Sequence, residues 1–322
     1  MRAAVYERYG APEVVLVKEV AKPAPKDDEV LIRVRATTVT AADWRARSLN
    51  APLGFGFMMR LVFGVTGPRK TILGTELAGD VEAVGAKVTE FKPGDAVFAY
   101  CGAHFGAHAE YICLPANSAI ALKPASLGYD EAAALSFGGV TAIDFLGRAE
   151  LKPGERVVVN GASGAVGSAA VQLAKHQGAH VTGVCSGANV ELVRSLGADE
   201  VIDYTQRDFT EATAAYDVIL DAAGTAPFSR CGKSLKEGGR LLLVLGALPD
   251  MLHGAWAGFT SSKRVFSGPS GESAEDLKRL AELATSGAYK PLIEQRYPLE
   301  RIVDAHRLVD SGRKKGNVVV TT

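Results

Sequence analysis

A valine run, three evenly spaced glycines and a small-residue helix pattern constrain this chain more than anything else in it. The stretch from Arg156 to Gly178 opens Arg156-Val157-Val158-Val159-Asn160 and continues Gly161-Ala162-Ser163-Gly164-Ala165-Val166-Gly167. An unbroken β-branched run suits a strand buried on both faces. Val166, Ala170, Leu173 and Ala174 then recur on one helical face, and Gly178 stands where a helix stops. Strand, glycine turn and helix together make an anion cradle. Small residues let the backbone come close, and the first helical turn presents free N–H groups and the positive end of its dipole. A second strand pattern, Val181–Cys185, follows. The unit therefore reads as the opening of a parallel sheet that holds a dinucleotide pyrophosphate. The spacing is GxxGxxG, displaced by one residue from the usual GxGxxG, with Ser163 beside the displaced glycine.

Beyond this unit, strand patterns at Val201–Asp203, Val218–Asp221, Leu241–Leu245 and Val265–Ser267 alternate with helical ones. That alternation predicts a doubly wound parallel sheet. Before it, the chain reads as β-rich. Strand patterns lie at Ala3–Tyr6, Val14–Val20, the alternating Val30, Ile32, Val34 and Ala36, then Leu77–Val84 and Ala96–Tyr100. Many short strands with Gly and Pro between them predict a barrel-like β domain. Asn50–Lys70, rich in Phe and Met, is expected to be an apolar loop, either over a ligand pocket or as a packing insertion. Tyr129–Ala149 reads as helix, loop and helix. Ser273-Ala274-Glu275-Asp276 resembles a capping box before a helix carrying Leu277 and Leu280. A short helix after Pro298 and a strand at Val318–Val320 must rejoin the first domain, because alone they could not bury themselves. The division expected is 1–122 with 288–322 for the β-rich domain, and 123–287 for the dinucleotide-binding one.

Composition excludes several classes. The 36 Lys and Arg balance 36 Asp and Glu, so no basic field argues for nucleic acid. No apolar run reaches spanning length and no basic amphipathic arm stands out, so no membrane partner is expected. The N-terminus lacks the apolar region of a secretion signal, and the four cysteines are scattered. A reducing, cytoplasmic setting is expected. None of the nine tyrosines has Lys four residues on, so the Tyr-x-x-x-Lys acid of short-chain dehydrogenases is absent. Cys101, His104, His108 and Glu110 have spacing that could serve a metal, but nothing supplies a second ligand pair. A polar loop is the preferred reading.

Taken together, the chain resembles the medium-chain dehydrogenases/reductases, with a chaperonin-10-like β domain, an inserted Rossmann domain and a C-terminal return. The landmarks are Ala41-Ala42-Asp43-Trp44-Arg45, Gly74-Thr75-Glu76-Leu77-Ala78-Gly79, Lys92-Pro93-Gly94-Asp95, Gly139-Val140-Thr141-Ala142 and Leu196-Gly197-Ala198-Asp199. The resemblance spans nearly the whole chain. Zinc-dependent members place Cys where this chain has Thr40, His where it has Thr75, and Cys or His near Gly138. The resemblance is therefore to the zinc-independent, quinone oxidoreductase-like branch, which implies no metal. It implies reduction of a quinone, enone or enal by NADPH. Thr40 and Thr75 would face the nicotinamide as hydrogen-bond donors or pocket walls, with Asp43 supporting them or simply capping a helix. Tyr100 and Phe55–Met58 would contact substrate.

For the cofactor, Gly161, Ser163, Gly164, Ala165, Val166 and Gly167 form the cradle. An NAD-specific site carries Asp or Glu about 20 residues beyond the glycine loop. Here stand Cys185-Ser186-Gly187-Ala188-Asn189. A small neutral patch does not repel a 2′-phosphate, and Ser186 and Asn189 can donate to one, so NADPH is favoured. The family resemblance implies Tyr204 at the adenosine phosphate, and Thr141, Leu245 and Gly246 near the nicotinamide ribose. The alternative function is a non-catalytic NADPH-binding protein, such as a redox sensor or a crystallin-like protein. A homodimer is expected, with Val265–Ser267 as an edge strand able to pair across it.

Overall fold

Gly and Pro punctuation cuts the N-terminal part into short strands, as its alternating pattern predicts. The computed structural model describes the backbone of residues 1–322 and every side chain except those of residues 255–260. β1 (Arg2–Tyr6) pairs antiparallel with β2 (Val15–Glu19). β3 (Glu29–Val39) is the longest strand and the spine of a larger sheet. After it come α1 (Ala41–Ser48), α2 (Gly56–Phe63), β4 (Glu76–Val84), β5 (Ala96–Tyr100), β6 (Tyr111–Pro115), β7 (Ile120–Leu122) and α3 (Tyr129–Ala133). β3 pairs antiparallel with both β4 and β6, β4 with β5, and β5 with β7. Val30, Ile32, Val34, Leu77, Val97 and Ile112 are buried together on the sheet's inner face.

The alternating part follows: α4 (Ser136–Arg148), β8 (Arg156–Asn160), α5 (Ala165–His176), β9 (His180–Cys185), α6 (Val190–Ser195), β10 (Glu200–Asp203), β11 (Tyr216–Asp221), α7 (Phe228–Cys231), β12 (Leu235–Leu243), α8 (Leu248–Thr260) and β13 (Arg264–Ser267). Its six strands are parallel, in the order β10-β9-β8-β11-β12-β13. The order reverses beside β8, which is where a doubly wound sheet opens its crevice. Val157, Val158 and Val159 are fully buried, as a strand covered on both faces requires. α5 buries nine of its twelve residues, including Val166, Val171 and Leu173. At about 1.5–3 kcal/mol per buried Val or Leu side chain, this packing holds the helix start in place.

The chain then returns through α9 (Ala274–Thr285), β14 (Ile293–Pro298), α10 (Ile302–Asp310) and β15 (Asn317–Thr321). Ser273 caps α9 by accepting from Asp276 N–H at 3.0 Å. β15 pairs with β3 and β14 joins β15, so the tail completes the β-rich sheet.

By compactness, residues 1–51, 56–137 and 272–322 form one unit, and residues 52–55 with 138–271 form the other. These bounds differ from the expected 122/123 and 287/288 because α3 packs on β3 and β4, and α9 on β7. Other differences have equally local causes. Asn50–Lys70 contains a helix, α2, rather than only loop. β12 stops at Leu243, so Leu245 and Gly246 lie in the turn beyond it. The strands β6, β7 and β14 were not foreseen; β14 carries the polar run Glu294-Gln295-Arg296 on an exposed edge.

Candidate active site

In the parallel unit, the glycine spacing becomes geometry. Gly161 has φ +82°, a left-handed backbone that opens the turn after β8. A Cβ on Gly167 would stand 2.0 Å from the Gly161 carbonyl oxygen, so only glycine lets α5 start this close to the strand. Gly164 is the N-cap of α5 and brings no side chain to cap it. The first N–H groups of the helix, those of Ala165, Val166 and Gly167, are thus left for an anion.

Ser163, Ser186 and Asn189 come together beside this turn. The Asn189 side-chain amide donates to Ser163 Oγ at 3.1 Å and to Ser186 Oγ at 3.3 Å. Asn189 Oδ1 is buried without a hydrogen-bond partner. The Tyr204 N–H donates to the Cys185 carbonyl, which sets its exposed ring beside the end of β9. Nearby, a cleft of about 610 Å³ is lined by Gly187, Val190, Ile202, Asp203 and Arg207. Thr141 is buried in the first half of α4. Gly246 lies against Ser267 and Met251 beyond β12.

Two residues of this edge were missed. Asn160 and Asp221 end the adjacent strands β8 and β11 and sit opposite each other. Asp221 accepts from the Asn160 side chain at 2.9 Å, from the N–H groups of Ala223 and Gly224, and from Ala226 N–H at 2.7 Å. One carboxylate thereby orders the loop beside the glycine turn. The sequence carries a partial signal, since each apolar run, Val157–Val159 and Val218–Leu220, ends on a polar residue; the burial and pairing of the two are tertiary.

In the β-rich unit, Thr40, Asp43 and Thr75 form one hydrogen-bonded group. Thr40 is the N-cap of α1, and Asp43 completes a capping box. Asp43 Oδ2 accepts from Thr40 N–H at 2.7 Å and from Thr40 Oγ1 at 2.6 Å; its Oδ1 accepts from Gly74 N–H at 2.8 Å. Thr40 Oγ1 lies 3.3 Å from Thr75 Oγ1. The capping reading of Asp43 is what the backbone shows, and the same carboxylate also ties α1 to the turn that carries Thr75.

A buried carboxyl lies next in sequence. Glu76 is fully buried, accepts from Thr38 Oγ1 and from Phe137 N–H, and is pushed up to about 7, chiefly by burial. Lys314 is pushed down to about 8, again chiefly by burial. Glu76 stands inside the Gly74–Gly79 landmark but was not singled out, because its burial is a tertiary fact.

Metal donors do not fit here. Thr40 and Thr75 offer hydroxyls, and Thr40's is committed to Asp43, so neither supplies the thiolate or imidazole that zinc takes. At Gly138 a Cβ would stand 2.6 Å from the Ala165 carbonyl oxygen, which leaves no room for a ligating side chain. Within Cys101–Glu110, the Glu110 and His108 side chains have separate partners. Glu110 is held by Arg2 at 2.8 Å, and His108 Nε2 lies 2.9 Å from the Thr38 carbonyl. Among the described residues, no three His, Cys, Asp or Glu side chains are gathered as a metal site.

Comparisons with known proteins agree with this architecture. The alcohol dehydrogenase GroES-like domain matches residues 26–124, and the zinc-binding dehydrogenase description matches residues 196–320. The chain is 34% identical to the 2-methylene-furan-3-one reductase of Solanum lycopersicum, over 99% of this chain and 79% of that protein. It is 33% identical to an NADPH-dependent alkenal/one oxidoreductase, chloroplastic, of Arabidopsis thaliana, with the same coverage. The quinone oxidoreductase of Coxiella burnetii superposes with a TM-score of 0.89 at 26% identity, covering 100% of this chain and 99% of that one. Fold and cradle define an oxidoreductase that works with a pyridine nucleotide. The chain belongs to the medium-chain dehydrogenase/reductase family, with relatives among its quinone oxidoreductase-like and enone reductase members.

Proposed function

We propose that this protein is a metal-free, NADPH-dependent reductase of quinones or α,β-unsaturated carbonyls. The observation that carries it is the Thr40–Asp43–Thr75 group, which puts hydroxyls and a carboxylate where a metal-dependent relative would hold its metal. The names of the Solanum, Arabidopsis and Coxiella proteins support the substrate class. NADPH, when bound, supplies the hydride.

The chain's own residues do the rest. Gly161, Gly164 and Gly167 admit the pyrophosphate to the start of α5, where the N–H groups of Ala165, Val166 and Gly167 bind it, with Ser163 alongside. Ser186, Asn189 and Tyr204 take the adenosine phosphate, and Arg207 in the neighbouring cleft adds a cation. Thr141, Leu245 and Gly246 flank the nicotinamide ribose. The Thr40 proton is directed at Asp43, while among the described residues the Thr75 hydroxyl bonds to Thr40 alone. Thr75 is therefore the hydroxyl free to turn and donate to the acceptor oxygen on which charge builds. Thr40 fixes its position, and Asp43 fixes Thr40.

The test measures NADPH oxidation with a panel of quinones and enones, using Thr75→Val and Thr40→Val. Thr75→Val is expected to lower kcat by about a hundredfold, in the range for losing one such donor, with NADPH affinity unchanged. Unchanged turnover in Thr75→Val, or turnover with none of the panel, would refute the assignment. A reducing, cytoplasmic setting is part of the proposal and suits four unpaired cysteines.

A further inference from the structure

We propose that α2 and the turn after it form a docking surface for an anionic lipid bilayer. The helix, Gly56-Phe57-Met58-Met59-Arg60-Leu61-Val62-Phe63, is apolar but largely uncovered. Phe57, Met58, Leu61 and Val62 are 77%, 51%, 47% and 56% exposed, and Val65 just beyond is 58% exposed. Among the described residues, the helix is seated through Phe63, which packs edge-on against Phe105 with ring centroids 5.9 Å apart. Soluble surfaces rarely carry this many contiguous large apolar side chains without a partner.

Charge selects the occupant. Between Asp43 and Glu76 the chain holds five Lys and Arg and no Asp or Glu, within a protein whose net charge is zero. Arg45 and Arg47 turn to backbone carbonyls and Asp310. That leaves Arg60, Arg69 and Lys70, all exposed, with no ion-pair partner among the described residues. The geometry keeps these cations near the helix. Arg69 N–H donates to the Phe63 carbonyl at 2.7 Å, and Tyr9 Oη, which donates to Gly64, feels both Arg60 and Arg69. The Glu7 backbone carbonyl lies beside Gly67 of this turn, and the Glu7 carboxylate is paired with Lys18 at 2.9 Å.

Apolar side chains beside unpaired cations are the chemistry of an interfacial helix. Phe, Met, Leu and Val enter the acyl boundary, while Arg and Lys reach the anionic headgroups. An acidic protein would satisfy the cations but leave Phe57 and Leu61 to find a matching apolar groove; a bilayer satisfies both at once. This departs from the sequence expectation of no membrane partner, which rested on the lack of a spanning-length apolar run and of a basic amphipathic arm. It is also distinct from spanning: among the described residues no helix is long and apolar enough to cross a membrane.

The test is sedimentation of the full chain with vesicles of phosphatidylcholine and phosphatidylglycerol at about 7:3, against phosphatidylcholine alone. The protein is expected to sediment with the mixed vesicles, and to release in 0.5 M salt. The Phe57→Ser/Leu61→Ser variant and the Arg69→Glu/Lys70→Glu variant are each expected to partition at least about tenfold more weakly, with an unchanged thermal unfolding midpoint. Failure of the parent chain to sediment with either vesicle overturns the proposal. So does equal sedimentation by the variants. A dimer seen by ultracentrifugation that the Phe57→Ser/Leu61→Ser variant dissolves, without vesicle binding, would assign the surface to a second copy instead.

Discussion

Glu76 and His306 are two titratable side chains that folding removes from water, and their pH signatures run in opposite directions. Glu76 keeps its proton up to about pH 7 in the folded chain, whereas an exposed Glu releases it near pH 4.3. Between those values the unfolded chain has given up a proton that the folded chain retains, so stability falls as pH rises through that window. Glu76→Gln is expected to flatten the profile between pH 5 and 8 in urea unfolding; a profile parallel to the parent's would show that Glu76 does not titrate there. His306 is fully buried on α10, edge-on to His108, and neither ring nitrogen has a hydrogen-bond partner. Burial first, then His108 and Arg47, hold it neutral well below the usual imidazole range. The unfolded imidazole takes a proton below about pH 6.5, so its contribution to stability is lost as pH falls below that value. His306→Phe is expected to remove up to about 1.4 kcal/mol of acid sensitivity per pH unit, read from unfolding between pH 4.5 and 6.5. No change in that slope would exclude His306 as its source.

At the scale of elements, the approach of α5 to β8 decides whether a dinucleotide binds. Gly167→Ala must move either the helix start or the Gly161 carbonyl, because the added Cβ would lie 2.0 Å from that oxygen. The expected cost is about 1–3 kcal/mol of stability, together with loss of dinucleotide affinity in a fluorescence titration. Gly164→Ala meets the same oxygen at an ordinary 3.5 Å and should cost less than about 1 kcal/mol, as a poorer N-cap residue. Equal damage from both variants would mean that the close approach is not the controlling feature. α2 shows the limit of reading elements from pattern. Its eight residues are apolar on nearly every side, so no helical periodicity marks it, and flanking glycines make the segment look like loop.

For the whole molecule, strand ends and sheet edges govern cofactor preference and assembly. The end of β9 carries Ser186 rather than a carboxylate, but the Asp203 carboxylate lies close to Gly187, next to it. Asp203 Oδ1 accepts from Thr205 N–H and Oγ1 at 3.0 and 2.8 Å, which turns that oxygen toward the loop after β10. Ser186→Asp is expected to weaken NADPH binding at least about tenfold while sparing NADH, since its carboxylate suits a ribose hydroxyl and repels a phosphate. A clear NADH preference in the parent chain would refute the Ser186 argument. β13 is an edge of the parallel sheet, and we propose that a second copy pairs there; sedimentation as a monomer at micromolar concentration would count against it.

The local rules of this sequence were strong enough to read most of the fold. Val157–Val159, the three glycines and the helix after them specify a strand, turn and helix through backbone sterics, which need no knowledge of distant residues. The same holds for the alternation of β3 and for the capping residues Asp43 and Ser273. The tail's return was also legible, because a lone strand such as Val318–Val320 has nowhere else to bury its face. Tertiary structure decided what depends on partners far along the chain. It buried Glu76 against Thr38 and Phe137, and set Asn160 opposite Asp221. It turned Asp43 toward both Thr40 and Gly74, and left the apolar side of α2 in water. Burial, hydrogen-bond partners and exposure are properties of a packed arrangement. They are absent from a residue's identity, so the glycine cradle could be read from spacing alone while the chemistry around the threonines could not.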